Sequence, residues 1–189
     1  MSVRAVFLEM DGTLVEHAHG PGAPGKLKLR SGVGAALRLL SHLDYRLFAV
    51  SSQARLANGQ LDDGAAQAAE HRLADLLFRE QLTLAGYYFC PHHPDGRVAQ
   101  PALSCLCRKP LPGMLIEAAR DHDIDLQESW MVGDVLHDIE AGNRAGCRTV
   151  LVDSGNETQW HLNRLRLPTR VVGDIYAAAL IIADDEGQW

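Results

Sequence analysis

Residues 3–16 read VRAVFLEMDGTLVE. Val3, Val6, Phe7 and Leu8 form a short apolar run, and it breaks into Glu9-Met10-Asp11-Gly12-Thr13-Leu14. An apolar, β-branched run bounded by acidic and turn-forming residues reads as a buried strand. Three more stretches share that texture: YRLFAVSS at 45–52, SWMVGD at 129–134 and CRTVLVD at 147–153, each ending in small or acidic residues. Helical spacing fills the intervals. Val33, Ala36, Leu37 and Leu40 recur after Ser31, which is expected to cap that helix. Much of the stretch from Leu61 to Leu84 is rich in Ala and Leu and lacks Pro, so it is expected to be helical. A third helix is expected after Pro112, with Met114, Leu115, Ala118 and Ala119 apolar, and a fourth from about Leu136 through Ala145. Strands alternating with helices predict an α/β fold around a parallel sheet.

Size and charge narrow the function. A chain of 189 residues, 47% hydrophobic and 22% charged, suits one domain over 1–189 that buries a sizeable core. Its formal net charge of -6 argues against nonspecific nucleic-acid binding, which needs a basic face. No basic segment followed by an apolar one opens the chain, and the late apolar stretch IYAAALIIA falls far below the roughly 20 residues of a membrane span. A soluble, cytoplasmic protein is expected, with no membrane and no nucleic-acid partner. Internal repeats, low-complexity tails and long linkers are absent from the sequence.

In open parallel sheets, ligands bind beyond the carboxyl ends of the strands. Those ends deliver Glu9 and Asp11, Ser51, and Gly133-Asp134 with Asp138 one helical turn on, while Lys109 precedes a helix start. Carboxylate pairs, a hydroxyl and an ammonium suit a divalent cation with a phosphoryl group, since Mg²⁺ takes one or two carboxylates and completes its octahedron with water and phosphate oxygens. Each element alone is ordinary: a turn, a helix cap, a surface charge, a helix start that favours acids. Their joint order is not. It resembles the four motifs of haloacid-dehalogenase (HAD) phosphatases, whose opening motif normally runs Asp-x-Asp-Gly-Thr.

The resemblance implies a Rossmann-like three-layer sandwich with a central parallel sheet and no large cap domain, expected to act as a monomer on a small phosphorylated metabolite. It also implies roles. Glu9 takes the place of the attacking acid, Asp11 that of the acid that protonates the leaving group and then activates water, and Ser51 and Lys109 those of the phosphoryl-stabilising pair. Mg²⁺ would be held by Glu9, the backbone carbonyl of Asp11 and Asp134, with Asp138 anchoring the group.

A second signal lies in CPHHPDGRVAQPALSCLCRKPLPGM at 90–114. Cys90, His92, Cys105 and Cys107 make a Cys₃His set suited to a closed tetrahedral structural zinc site. A Pro-rich loop over about 90–107 with little apolar patterning would gain its organisation from that metal. Buried incidental thiols or disulfides are the alternatives, the latter disfavoured in a reducing compartment. Cys147 reads as a small buried residue.

This zinc loop is similar to those of D-glycero-D-manno-heptose 1,7-bisphosphate phosphatases and of histidinol-phosphate phosphatases, with the double histidine and the RKPLPGM ending favouring the former. By that resemblance Arg108 would read the sugar phosphate and Lys109 the transferring phosphoryl group. His17, Ala18, His19, Gly20, Ser51, Ser52, Gln53 and Ala54 would line the substrate site. Three positions depart from the family pattern: Glu9 for Asp, Ser51-Ser52-Gln53-Ala54 for a Thr-Asn-Gln motif, and Val135 for Lys. Glu9 leaves three explanations open: a slow phosphatase whose backbone has adjusted, a phospho-ligand sensor without turnover, or a substitution introduced into the sequence. His93 would be the lesser imidazole of its pair.

Overall fold

The computed structural model describes residues 2–16, 27–52, 63–92 and 105–187. The expected substrate-loop residues His17, Ala18, His19, Gly20, Gln53 and Ala54, together with His93, lie outside them.

Eleven elements are described: β1 (Ala5–Glu9), α1 (Val33–His42), β2 (Arg46–Ser52), α2 (Asp63–Arg79), β3 (Gly86–Cys90), α3 (Gly113–His122), β4 (Trp130–Gly133), α4 (Leu136–Ala145), β5 (Arg148–Val152), β6 (Arg170–Val172) and α5 (Ile175–Asp185). All strand pairs are parallel, and the sheet order is β3-β2-β1-β4-β5-β6. Chain direction across the sheet reverses between β1 and β4, which opens a crevice at their carboxyl ends.

β1 is buried along its whole length because helices cover both faces of the sheet. Its side chains alternate. Val6 and Leu8 pack with Leu37 and Leu40 of α1, Leu73 and Leu77 of α2, and Ala179 and Ile182 of α5. Ala5 and Phe7 face the other way, onto Met114, Leu115 and Ala118 of α3, while Leu136 and Ile139 of α4 pack on Leu151 of β5. The result is the expected three-layer sandwich.

One local expectation changes. α1 is capped by Gly32 in a left-handed conformation (φ 83°), without a side-chain bond, rather than by Ser31. A Cβ there would sit 3.2 Å from Cβ of Tyr176, so the close approach of α5 favours glycine over a hydroxyl cap. α2 fills Asp63–Arg79, much of the stretch expected to be helical, and stops there because Gln81 turns left-handed (φ 59°) and the Leu82 N–H bonds back to the Leu77 carbonyl. The IYAAALIIA stretch is α5, started by the Asp174 carboxylate accepting the Ala177 N–H at 2.8 Å. Among the described residues, no helix is long and apolar enough to cross a membrane.

Candidate active site and metal centres

β1 and β4 are neighbours, with Leu8 opposite Val132, so the next residues, Glu9 and Gly133-Asp134, meet at the sheet crevice. Glu9, Asp134, Asp138 and Lys109 are 7%, 2%, 1% and 6% exposed. The Lys109 ammonium forms an ion pair with Glu9 Oε2 and lies 2.6 Å from Asp138 Oδ1. The other Asp138 oxygen accepts the backbone N–H groups of Asp134 and Val135, each at 3.2 Å, and so closes the start of α4. This turn requires Gly133: a Cβ there would lie 2.3 Å from Asp138 Cβ.

The chain after β1 turns sharply. Gly12 N–H bonds to the Val15 carbonyl at 2.9 Å and Leu14 N–H to that of Met10 at 3.0 Å, while Glu9 Oε1 accepts the Asp11 N–H at 3.3 Å. Thr13 is thereby brought to Asp134, where its hydroxyl donates to Oδ1 at 3.4 Å. The second Asp134 oxygen accepts the Asn156 side-chain N–H at 2.6 Å.

A cavity of about 180 Å³ opens over this cluster, lined by Glu9, Asp11, Ser52, Arg108, Lys109, Asp134, Val135, His137 and Asp138. Ser51 is fully buried and does not line it. The hydroxyl in the wall belongs to Ser52, whose Oγ accepts the Lys109 N–H at 3.3 Å. Strand alternation explains the difference, since adjacent side chains point to opposite faces.

Buried carboxylates gather at the crevice. Glu9, Asp134 and Asp138 are all buried, and Lys109 pairs with Glu9 and Asp138. Like charges crowded away from water repel, and a hard divalent cation bound by oxygens relieves that repulsion. The donor set fits Mg²⁺.

The second centre forms where β3 ends. Cys90, His92, Cys105 and Cys107 offer ligand atoms that all lie within 4.8 Å of one another. Sulfur separations are 3.1 to 3.4 Å, and His92 Nδ1 is 3.3 Å from Cys107 Sγ. A tetrahedral zinc with Zn–S bonds near 2.3 Å would set sulfurs roughly 3.8 Å apart, so a small outward movement accommodates it. Burial pushes the Cys90 thiol up and also raises Cys107; at Cys105 burial acts the same way, but bonds from Cys107 and the Arg108 N–H bring it below the ordinary thiol range. Three thiolates cannot coexist there without a cation. The four residues fit zinc. The loop also serves the cavity: Arg108 donates its N–H to Cys105 Sγ at 3.3 Å and its guanidinium to the His92 carbonyl at 3.2 Å, which fixes Arg108 and Lys109 at the wall.

Comparison with known proteins agrees. The HAD-hydrolase-like family model matches residues 106–178. The D-glycero-beta-D-manno-heptose-1,7-bisphosphate 7-phosphatase of Yersinia pestis is 37% identical over 174 residues, covering 87% of this chain and 92% of that enzyme. The chain belongs to this family of HAD phosphatases. The enzyme of the same name from Escherichia coli K12 is 36% identical, with 87% and 91% covered. Among solved structures, the D,D-heptose 1,7-bisphosphate phosphatase from B. bronchiseptica, complexed with magnesium and phosphate, superposes with a TM-score of 0.82 at 28% identity, covering 97% of this chain and 99% of that one.

As a HAD phosphatase this chain is a hydrolase that uses Mg²⁺, and its Cys₃His group fits a zinc-binding site. The sequence brought Glu9, Asp11, Lys109, Arg108, Asp134 and Asp138 to one place, and the fold assembles them there. Sequence reasoning passed over Thr13, Asn156 and His137. Asn156 had one available signal, its position just beyond a strand end in VLVDSGN.

Proposed function

We propose that this chain hydrolyses a phosphate ester of D-glycero-D-manno-heptose 1,7-bisphosphate through Glu9, with turnover restrained by the length of that side chain. The observation that carries this is the buried meeting of Glu9, Asp134 and Lys109 at the sheet crevice of a member of this family. In the reaction a Glu9 oxygen attacks phosphorus, the ester P–O bond breaks, and Asp11 gives its proton to the departing sugar oxygen. Asp11, now a carboxylate, takes a proton from a water that attacks the glutamyl phosphate, releasing inorganic phosphate and restoring Glu9.

Lys109 and Arg108 hold phosphoryl oxygens, Arg108 by its planar fork, and the Ser51-Ser52 strand end supplies a hydroxyl. Glu9, the Asp11 carbonyl and Asp134 would hold Mg²⁺, which when bound withdraws charge from the phosphoryl group. Glu9 is one methylene longer than aspartate. Displacing the attacking oxygen by about an ångström costs roughly 100-fold in rate. We further infer a single-domain cytoplasmic monomer whose substrate loops include His17 to Gly20 and Gln53-Ala54.

A second reading, a phospho-sugar-binding protein without turnover, is favoured by one contact: the Glu9 carboxylate is paired with Lys109, the cation assigned to the phosphoryl group. Phosphate release with Mg²⁺ from heptose 1,7-bisphosphate, other sugar phosphates and histidinol phosphate tests the proposal. Release from the heptose above the rest is expected. Binding of the heptose with no release above a mock-purified background would favour the second reading, and preference for histidinol phosphate would displace both.

A further inference from the structure

Asp134 is held from two sides by residues far apart in sequence. Thr13 reaches Oδ1 from the turn after β1, and Asn156 reaches Oδ2 from the loop after β5. Because a carboxylate only accepts, the amide group facing it must be the Asn156 N–H₂ end, and that group also donates to Ser154 Oγ at 2.9 Å. The loop around Asn156 is itself pinned. The Asp153 N–H bonds to the Val172 carbonyl at 2.8 Å, and Glu157 accepts the Leu136 N–H at 2.7 Å and the Gln159 N–H at 2.6 Å. Asn156 therefore approaches Asp134 from a fixed frame that also carries the first residue of α4.

The consequence concerns which cation suits the site. Mg²⁺ demands near-ideal octahedral geometry at short distance and accepts a carboxylate through one oxygen, whereas Ca²⁺ takes more ligands at longer distance and commonly chelates both oxygens. Chelation through both oxygens of Asp134 would disrupt the short bond from Asn156. We propose that Asn156 is a positioning residue that presents Asp134 as a one-oxygen ligand and so biases the site toward Mg²⁺ over Ca²⁺. This rests on the assignment of Asp134 as a metal ligand.

Calorimetric titration of the full chain with Mg²⁺ and, separately, Ca²⁺ reads the effect without any turnover. Asn156→Ala is expected to raise the Mg²⁺ dissociation constant about tenfold or more, in the range found when groups that orient metal ligands are removed. The Ca²⁺ constant should change much less, so the preference for Mg²⁺ shrinks. Asn156→Ser, also too short to reach Asp134, should give the same split and serves if the alanine variant is unstable. A Mg²⁺ to Ca²⁺ ratio unchanged from the parent, whether both affinities hold or both fall together, overturns the inference. Asp134→Asn separates the two levels: if it leaves Mg²⁺ affinity intact, the ligand assignment itself fails. If it weakens Mg²⁺ while the Asn156 variants keep the parent ratio, only the role of Asn156 is lost.

Discussion

Glu9 has the charge of the aspartate in the usual HAD opening motif but a side chain one methylene longer, and its carboxylate pairs with Lys109. Lys109 pairs with Glu9 and Asp138 at once, in a site where all three side chains are buried. Removing one partner of such a buried cluster leaves charge without compensation. Lys109→Ala should therefore lower the unfolding free energy by about 3–5 kcal/mol in metal-free buffer. It should also weaken binding of inorganic phosphate. Urea denaturation and calorimetry check the two effects, and unchanged phosphate affinity would remove Lys109 from the anion site.

Among the elements, α4 does most to join the site to the rest of the fold. Its first turn carries Asp138, and, two residues on, the buried Glu140 accepts bonds from Arg144 at 2.7 Å and from Arg166 at 2.7 Å, tying the segment between β5 and β6 to the helix. Burial alone would raise the Glu140 carboxyl, yet the bonds and charges of Arg166 and Arg144 hold it below the ordinary carboxylate range. A depressed carboxyl stabilises the fold above its unfolded-state pKa, and that contribution is lost as pH falls through the folded-state value. Glu140→Gln should cost about 1–2 kcal/mol at neutral pH. The difference from the parent should fade in acid, as chemical denaturation at pH 7 and at progressively lower pH would report. A difference independent of pH would mean that packing, not charge, holds Glu140.

The central strands were legible at this scale because burial on both faces writes them as continuous apolar runs, as in Ala5–Glu9 and Trp130–Gly133. β3 is a half-buried strand at one edge and β6 a short, mostly exposed one at the other, so neither carries that signal. α5 is so apolar that only a membrane span was weighed against it. In the site, residues with distinctive chemistry could be found from order and spacing: Glu9, Lys109, Asp134 and the four zinc ligands. Asn156 was marked only by its place beyond a strand end, because its role arises where the loop after β5 meets Asp134. Nor does the sequence say which of Ser51 and Ser52 faces the cavity, since that depends on strand register.

Across the whole molecule, the zinc group and the phosphoryl site share one segment: Cys105 and Cys107 immediately precede Arg108 and Lys109. Metal binding should therefore contribute to folding and to the shape of the cavity at once. The purified protein is expected to carry about one zinc per chain. Cys105→Ser should reduce that content, lower the melting temperature and weaken phosphate binding, measured by metal analysis, thermal scans and calorimetry. Thoroughly washed protein that was expressed with adequate zinc and contains none would refute the assignment.

The proposed restraint of turnover by Glu9 has its most direct test in Mg²⁺-dependent phosphate release from heptose 1,7-bisphosphate by the parent, Glu9→Asp and Glu9→Gln under identical conditions. Glu9→Asp keeps the charge and withdraws the carboxylate by one methylene, so activity should rise by roughly 100-fold or more. Glu9→Gln removes an anionic nucleophile and an anionic metal ligand together and should abolish release. A parent that turns over fast while Glu9→Asp runs slower, or three proteins with the same rate, would contradict it.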